Sequence, residues 1–376
     1  MKKGWTYKKF EDCINKIPKQ HQVKSKDYKS SGIYPIVSQE KEIISGYWDD
    51  ESFLYKHEKP VIVFGDHTKE VKYIDFDFVV GADGTQIISP KEDIDTKFFY
   101  YSLKATRIRN LGYARHFKLL KEKNFGIPSL GEQQHIVSRL DSTFAHIDTL
   151  KANAEKQLRE ARALFQKALE RAMEPKEGWE EKTLKELTTK IGSGATPKGG
   201  KKIYINKGVS LVRSMNVQYD VFKYNDLAHI NDDAAKQLIG VELKSDDVLF
   251  NITGASIARC CVLPDDVLPA RVNQHVSILR PKKEIVLPKF LCLGLISFKH
   301  QKELVEIGVS GSTRQALTKS DLECHKFAIP PLSEQQHIVA RLDSLSANLR
   351  EFENIQRKII AECDALKQAL LRKVFE

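Results

Sequence analysis

Two long stretches of this chain carry apolar residues at spacings that alternate between three and four. One stretch covers 132–173 and the other 332–376, and neither contains glycine or proline. This heptad pattern is typical of helices that bury a continuous seam against another helix. It predicts two helices of about 42 residues, each roughly 60 Å long at a rise of 1.5 Å per residue.

Each predicted seam contains one polar interruption, which is Lys151 in the first helix and Gln356 in the second. Apolar or small side chains fill the other positions. The first seam consists of Val137, Leu140, Phe144, Ile147, Ala154, Leu158, Ala161, Phe165, Ala168 and Ala172, and the second of Leu342, Leu345, Leu349, Phe352, Ile359, Cys363, Leu366 and Leu370.

The segments that precede the helices have a different composition. They are rich in glycine, proline and aromatic residues, with short β-branched runs at 60–64, 73–80 and 272–279 that predict strands. We therefore expect an α+β protein in which two mixed α/β globules are joined by two long helices. The predicted organisation is a first globule (1–131), a first helix (132–175), a second globule (176–331) and a second helix (332–376).

The chain also contains an internal repeat. Residues 127–142 read IPSLGEQQHIVSRLDS and residues 329–344 read IPPLSEQQHIVARLDS, with thirteen of the sixteen positions identical. A weaker match relates Gly4-Trp5 to Gly178-Trp179 at the start of each half. A repeat of this length indicates a duplicated globule–helix unit and not a solenoid.

The duplication favours an antiparallel coiled coil of the two helices. The seams then bury each other, and the globules lie at opposite ends of a rod, related by a pseudo-two-fold axis. A parallel pairing would leave the second helix extending past the second globule with its seam uncovered. Because duplex DNA has two-fold backbone symmetry, two diverged globules predict a bipartite, asymmetric target with an unread spacer.

The net charge of +10 favours a polyanionic partner, and its distribution along the chain indicates which parts bind it. Residues 1–131 carry +5 and residues 174–331 carry +4, whereas 132–173 carry +1 and 332–376 carry no net charge. Helices that lie along a phosphate backbone would be basic. The distribution therefore assigns the polyanion to the globules and protein partners to the helices.

The cysteines and the apolar runs bear on where the protein works. Six cysteines without a CxxC spacing predict reduced thiols, not a disulfide framework or a zinc finger. The N-terminus has no apolar signal-peptide region, and the longest apolar run, 290–298, is about half a membrane span. We expect a cytoplasmic protein that does not bind membranes.

With these features the sequence resembles the specificity subunits of type I restriction–modification systems. The twin IPxLxEQQHIVxRLD blocks and the two Gly-Trp starts carry most of the resemblance, which covers essentially the whole chain. Further matches are GSGATP at 192–197, Leu249-Phe250 leading to Gly254, and VNQH at 272–275. Residues 61–64 followed by 79–81 complete the set.

The resemblance implies a non-catalytic subunit that recognises double-stranded DNA. It also implies two modification subunits, which methylate one adenine in each half-site, and restriction subunits that cleave unmethylated DNA. The complex as a whole would be an adenine-N6 DNA methyltransferase and ATP-dependent endonuclease. S-adenosylmethionine, ATP and magnesium are then expected only on the partner subunits, with no cofactor on this chain. In agreement, the sequence contains neither GxxxxGK[ST] nor an Asn/Asp-Pro-Pro-aromatic motif.

Basic and amide side chains of the globules are the candidates for DNA contact, because arginine can read guanine and glutamine can read adenine. Segments 105–118 and 308–315 occupy comparable places before the two helices, and solvated turns are the alternative for both. The segment 192–202 is either a loop on the DNA backbone or a solvated loop, since its glycine spacing is not that of a nucleotide-binding P-loop. The predicted DNA-binding residues are Arg107, Arg109, Arg115, His116, Lys118, His67, Thr68, Lys198, Lys201, Arg213, Asn273, Gln274, Thr313, Arg314 and Gln315.

The two EQQH segments are predicted to fix the junction between globule and helix and to present a surface to partner subunits. Their ExxH spacing also occurs in di-iron bundles, but antiparallel helices would place the two motifs at opposite ends, so no metal site is expected. The predicted partner-binding residues are Glu132, Gln133, Gln134, His135, Arg139, Glu334, Gln335, Gln336, His337 and Arg341.

An alternative function is a coiled-coil adaptor whose basic globules bind RNA or protein. A methyltransferase gene beside this one would favour DNA recognition over the adaptor.

Overall fold

The computed structural model describes residues 2–110, 112, 114–197, 199–310 and 315–376, without the side chains of 201, 202 and 310. The chain forms two compact units. Unit 1 is Met1–Glu155 with Gln356–Glu376, and unit 2 is Lys156–Ile355. Each unit combines sheets and short helices with one segment of each long helix, so the fold is the mixed helix-and-sheet architecture that the sequence predicts.

Unit 1 is built around small sheets. Its strands are β1 (Thr6–Lys9), β2 (Gln22–Val23), β3 (Tyr34–Val37), β4 (Gly46–Trp48), β5 (Leu54–Tyr55), β6 (Val61–Gly65), β7 (Val71–Ile74), β8 (Phe78–Gly81), β9 (Thr85–Ile88) and β10 (Asn124–Ile127). Its helices are α1 (Phe10–Cys13), α2 (Thr96–Ala105), α3 (Phe117–Lys121) and the start of α4 (Leu130–Met173).

The core of unit 1 lies between a three-stranded sheet, ordered β7-β6-β9, and helix α2. All five residues of β6 are buried, as expected for the central strand of a covered sheet. Asp95 caps α2 by accepting the Phe98 N–H at 2.8 Å, and Phe98 and Phe99 pack into the core. A second sheet, ordered β2-β8-β3-β4 with β5 also paired to β8, covers the other side of the strands.

Unit 2 also combines small sheets with short helices. Its strands are β11 (Glu180–Thr183), β12 (Thr188–Ser193), β13 (Val209–Val212), β14 (Ala228–Ile230), β15 (Val248–Asn251), β16 (Cys260–Val262), β17 (Ala270–Val272), β18 (Val276–Pro281) and β19 (Lys326–Ile329). Its helices are α5 (Leu184–Leu187), α6 (Asp232–Gln237), α7 (Pro288–Leu295), α8 (Phe298–Ser310), α9 (Lys319–Cys324) and α10 (Leu332–Phe375), the last of which ends in unit 1.

The main sheet of unit 2 has the order β12-β18-β15-β16, beside a smaller sheet of order β14-β13-β17. Helix α7 packs on the main sheet through Phe290, Leu291 and Leu295. Two strands predicted as single runs are each split. The run 73–80 is broken into β7 and β8, and the run 272–279 is broken into β17 and β18 by a turn in which Asn273 Oδ1 accepts the His275 N–H.

In each unit, a pair of antiparallel strands joins the start of the globular part to its end. β1 pairs with β10 in unit 1, with Thr6 opposite Ile127. β11 pairs with β19 in unit 2, with Glu180 opposite Ile329. The long helices start three residues after these pairs, so each strand pair fixes the position from which its helix leaves.

A buried glutamine then sets the direction of each helix. Gln133 is fully buried in unit 1, where its amide donates to the Asp93 and Pro128 carbonyls and its oxygen accepts the Asp95 N–H at 2.7 Å. Gln335 is fully buried in unit 2 and makes the corresponding three bonds.

In unit 2 the Gln335 amide donates to the Ile285 and Pro330 carbonyls at 2.9 Å, and the Gln335 oxygen accepts the Leu287 N–H at 2.8 Å. Both glutamines therefore serve the junction between globule and helix. The prediction that Gln133 and Gln335 contact a partner protein is wrong, because neither side chain reaches the surface.

The long helices are 44 residues each, close to the predicted length. Within unit 1, Leu140, Phe144 and Ile147 cluster with Cys363 and Leu371. Within unit 2, Leu169 and Met173 join Ile338 and Leu342 in the domain core.

Two predicted seam residues are exposed, Leu345 at 37% and Leu366 at 49%. Next to Leu366, Lys367 faces the first long helix in its place. The Lys367 Nζ lies 5.3 Å from the centre of the Phe144 ring and donates a hydrogen bond to Asp148.

The six cysteines are unpaired thiols, and burial raises the pKa of Cys13 to about 11. Among the described residues, no helix combines the length and hydropathy needed to span a membrane.

The Gln335 bonds can be tested by replacing Gln335 with methionine, which keeps the shape but leaves two carbonyls and one N–H without partners. Each buried polar group without a partner costs about 1–3 kcal/mol, so the free energy of unfolding should fall by at least about 2 kcal/mol. Chemical denaturation followed by circular dichroism measures this change.

The matched control is Gln336→Met, one position along on the exposed face of the same helix. Its expected effect is within about 0.5 kcal/mol. Equal destabilisation by the two substitutions would contradict a special role for Gln335.

Candidate nucleic-acid interface

Unit 1 holds a polar cluster at the end of β6, centred on Asp66. Asp66 is 3% exposed, and its Oδ1 accepts the Phe117 N–H at 2.7 Å. The Asp66 carbonyl accepts from the backbone N–H of His116 at 2.8 Å and from His116 Nδ1 at 2.9 Å. These bonds fasten the segment before α3 to the end of β6.

Arg115 projects from this fastened segment towards solvent. Its side chain is 70% exposed, and its Nε lies 4.0 Å from Asp66 Oδ2. Because the carboxylate is buried and the guanidinium is not, the ion pair orients the arginine while leaving most of its donors available. We call the adjoining cavity the Arg115 cleft.

The Arg115 cleft has a volume of about 370 Å³ and a largely polar wall. The backbone of Gly84 has a φ of +82° and lies close to the His67 ring. A Cβ at Gly84 would lie 2.9 Å from His67 Cδ2. The lining residues are Ile17, Pro18, Lys19, Gln20, Gln22, Val80, Asp83, Gly84, Thr85, Gln86, Ile87 and Arg115.

A loop from residues 38 to 42 supports the same region of unit 1. Gln39 Oε1 accepts the His67 N–H at 3.1 Å, and the Gln39 carbonyl accepts from Thr68 Oγ1 at 2.6 Å. Lys72 holds this loop by donating to the carbonyls of Ser38 and Glu42, and burial lowers the pKa of Lys72. His67 and Thr68 are thus held in place beside Asp66.

The other predicted residues of unit 1 have different surroundings. His116 is fully buried, so its predicted DNA contact is wrong, and it anchors Arg115 instead. Arg109 and Lys118 are exposed. Arg107 is also exposed, but its Nε pairs with Glu376 Oε1 at 3.3 Å.

Unit 2 holds a comparable polar cluster, which we call the His275 cluster. His275 Nδ1 lies 2.7 Å from Thr253 Oγ1, and His275 Nε2 lies 3.0 Å from Gln274 Nε2. Thr196 Oγ1 donates to Gln274 Oε1. Three segments that are distant in sequence therefore share one hydrogen-bonded network.

Backbone contacts hold these segments together. The Gly194 N–H donates to the Asn273 carbonyl at 3.1 Å, and a Cβ at Gly194 would lie 1.7 Å from the Val272 oxygen, so only glycine fits there. The Gly254 N–H donates to the Gln315 carbonyl at 2.9 Å. The structure thus brings together the GSGATP and VNQH motifs, the segment after β15, and predicted residue Gln315.

The remaining predicted DNA-binding residues of unit 2 are Arg213, which makes other contacts, and four residues that the structure does not describe in full. Arg213 Nη2 donates to the Asp226 carbonyl, and its guanidinium carbon lies 5.5 Å from the centre of the Tyr204 ring. Both contacts are internal to unit 2, and the DNA contact of the half-buried Arg213 stays a prediction. Lys198, Thr313, Arg314 and the side chain of Lys201 lie outside the described residues.

Gln39, Thr196 and Thr253 belong to the two clusters but were not among the predicted contacts. Thr253 is the first polar residue after the buried strand β15, with one residue between it and the strand end, and Asp66 follows β6 directly. A polar residue just after a wholly buried strand is a sequence signal that would have found it. Gln39 has no such signal, because only the tertiary fold brings it to His67.

The predicted partner residues are divided between the junction and the surface. Glu132 accepts from Trp5 Nε1 at 3.1 Å, and Glu334 pairs with Lys176 at 3.4 Å, so both carboxylates help to tie a helix to its globule. The exposed members are Gln134, His135, Arg139, Gln336, His337 and Arg341.

The two clusters offer guanidinium, amide, imidazole and hydroxyl groups on folded supports. These are the groups that read base edges and bind phosphate oxygens. Both clusters lie at strand ends, where loops can vary without disturbing the core.

The comparisons with known proteins agree on one family. Residues 2–160 and 176–362 match the family described as the type I restriction modification DNA specificity domain. The EcoR124I/EcoR124II specificity subunit of Escherichia coli is 24% identical over 342 residues, covering 87% of this chain and 82% of that protein. The EcoBI specificity subunit of Escherichia coli is 24% identical over 284 residues, covering 69% of this chain and 59% of that protein.

The fold also matches a solved structure from work on the assembly and conformational transition of the type I R-M system. The TM-score is 0.68 at 18% sequence identity, covering 99% of this chain and 97% of the other.

The match to the family extends over both halves of the chain, including both GW starts and both EQQH junctions. The chain therefore belongs to the type I restriction–modification DNA specificity family, as a non-catalytic subunit that recognises the DNA target of the complex.

Proposed function

We propose that this chain reads a bipartite, asymmetric sequence in double-stranded DNA, with the Arg115 cleft contacting one half-site and the His275 cluster the other. The observation that carries the proposal is that each unit has one polar cluster at corresponding strand ends. Asp66 follows β6 in unit 1, and Thr253 follows β15 in unit 2. In the same way, the link between β8 and β9 in unit 1 corresponds to the link between β17 and β18 in unit 2. The residues differ between the clusters, so the two half-sites should differ.

The proposed domains are a first recognition domain (1–131), a first conserved helix (132–175), a second recognition domain (176–331) and a second conserved helix (332–376). The closing strand pairs support these borders, because β1 with β10 and β11 with β19 complete each globular part just before its helix.

The helices are proposed to pair as an antiparallel coiled coil within a duplicated architecture. Support within unit 1 comes from Asp148 with Lys367 and from Lys151 with Asp364 at 2.7 Å. Support within unit 2 comes from Arg162 with Glu353 at 2.5 Å. Along the first helix the residue number rises from Asp148 to Lys151, whereas the residue number of the partner falls from Lys367 to Asp364. Contacts in this order are typical of an antiparallel pair.

Two modification subunits and restriction subunits are the proposed protein partners, and the helices would set the unread spacer. The near-neutral helices and the exposed residues at both EQQH junctions support this assignment. S-adenosylmethionine, ATP and magnesium would be bound by those partners, with DNA as the ligand of this chain.

The half-site assignment predicts separate effects of Arg115→Ala and Gln274→Ala. A base contact contributes about 1–3 kcal/mol of discrimination, on the order of 10- to 100-fold, so each change should relax one half of the methylated motif. Methylome sequencing of cells that express the chain with its modification subunits measures both halves.

Arg159→Ala is the control, since it removes the same charge from an exposed position on α4. The methylated motif should be unaltered by it. Relaxation of the same half by both cluster variants would contradict the assignment, and an unchanged methylome on deletion of the gene would contradict the function itself.

The partner surface predicts that Arg139→Glu combined with Arg341→Glu weakens binding of the modification subunits. Reversed charge at both junctions should repel a complementary acidic surface and reduce co-purification at least about tenfold. Pull-down from co-expressed subunits measures this loss.

Arg159→Glu is the control, because it reverses one arginine charge on α4 away from the EQQH junctions; each single junction variant is compared with it. Retention of normal co-purification by the double variant would remove the junctions from the partner surface.

A further inference from the structure

We propose that His300, Glu303 and His325 of unit 2 bind one divalent metal ion of the zinc class. The sequence patterns predict no metal on this chain, and no motif connects the two segments that carry these ligands. The ligand atoms of the three side chains lie within 4.8 Å of one another.

The distances between the ligand atoms suit a small cation. His300 Nδ1 lies 2.8 Å from His325 Nε2 and 3.9 Å from Glu303 Oε2. Zinc bonds of about 2.0–2.2 Å in a tetrahedron place ligand atoms about 3.4 Å apart, between these two values. The third distance, from Glu303 to His325, is at most 4.8 Å, so movements of about an ångström, mainly of the exposed Glu303 carboxylate, would complete the geometry.

The elements that carry the ligands hold them in the required places. His300 and Glu303 are separated by one turn of α8, so they share a face of the helix. His325 is the residue at which α9 ends and stands just before β19. Three ligands on two packed segments form a site that exists before the ion arrives.

The protonation states are also suitable. Burial lowers the pKa of His300 to about 3 and that of His325 to about 4, so both rings are neutral near pH 7. Their contact in the absence of metal is therefore an N–H···N hydrogen bond between neutral rings. Binding requires only that the shared proton move to the far nitrogen of its own ring, and no proton is lost.

The chemistry of the three ligands selects the class of ion. Two imidazoles and one carboxylate are a ligand set of zinc, whereas calcium and magnesium require mostly oxygen ligands. The single carboxylate leaves a net charge of +1 on the filled site.

The fourth position of the tetrahedron is open to water. His300 lines a cleft of about 560 Å³ whose wall also contains Glu170, Glu174 and Glu181. The same wall also carries the cations Lys167, Arg171, Lys299 and Lys326, of which Lys299 disfavours positive charge on both histidines.

The ion would fasten the two ends of a segment that matters for recognition. The chain between His300 and His325 contains the predicted DNA-binding residues Thr313, Arg314 and Gln315. A metal bond between α8 and the end of α9 would restrain this segment. That consequence rests on the proposed function, whereas metal binding itself does not.

The test uses the full chain without an affinity tag, stripped with a chelator and titrated with Zn²⁺ by calorimetry and with Co²⁺ by visible absorption. We expect one ion per chain and the strong d–d bands of four-coordinate cobalt. Loss of an outer-shell group weakens metal sites about 10- to 100-fold, so Glu303→Gln should weaken binding by at least that factor. His325→Gln should abolish it.

Two matched controls separate the site from background binding. Glu306→Gln lies one turn further along α8, where Glu306 pairs with Lys302 instead. His146→Gln removes an exposed histidine from α4. Both variants should bind Zn²⁺ like the wild type.

Circular dichroism in chelator shows whether His325→Gln is folded. If it is not, Glu303→Gln decides the matter, because the Glu303 side chain is 45% exposed and its replacement leaves the core intact.

The absence of stoichiometric Zn²⁺ binding, or undiminished binding in Glu303→Gln, would overturn the proposal and leave the histidines as a hydrogen-bonded pair. The titration contains no DNA and no partner subunit. Its failure would therefore not affect the proposed DNA recognition, which the methylome experiment tests separately.

Discussion

The fold depends above all on satisfying backbone groups where each long helix begins. Burying the chain around a helix start leaves backbone N–H and C=O groups of the neighbouring loops without partners unless a side chain supplies them. Gln133 and Gln335 each supply three hydrogen bonds from one fully buried amide. With those bonds made, the direction in which each helix leaves is set by the globular part at its start.

The Arg115 cleft and the His275 cluster follow from a second constraint, which is that buried strands end abruptly. β6 and β15 are wholly buried, so the first polar residues after them lie where the sheet meets solvent. Asp66 and Thr253 occupy these places and recruit distant segments, His116 and Phe117 in one unit and His275 in the other. Exposed side chains such as Arg115 can then vary while the buried anchors stay.

The sequence patterns predict the helices and their lengths well, because a heptad seam is a local signal that repeats many times. They place Arg115 and Gln274 in segments that the structure gathers into clusters. They fail where tertiary contacts decide. Nothing local distinguishes buried His116 from exposed Arg115, or buried Gln133 from exposed Gln134. The phase of the second seam was also misjudged at Leu345 and Leu366, since leucine alone does not show which neighbour faces inward.

The closing strand pair of unit 1 has a consequence for how the chain folds during synthesis. β1 and β10 lie near the two ends of the globular part, so their pairing closes a very long loop and carries a large entropic cost. We expect that pair to form only after the interior sheets have assembled around Phe64 and Phe98. Because β10 lies just before α4, the interior sheets of the first globule can assemble before most of that helix has left the ribosome. Phe375, whose ring lies 5.2 Å from that of Phe98, can join this core only at the end of synthesis. The growing helix α4 would then extend from an assembled sheet core that the last helix completes.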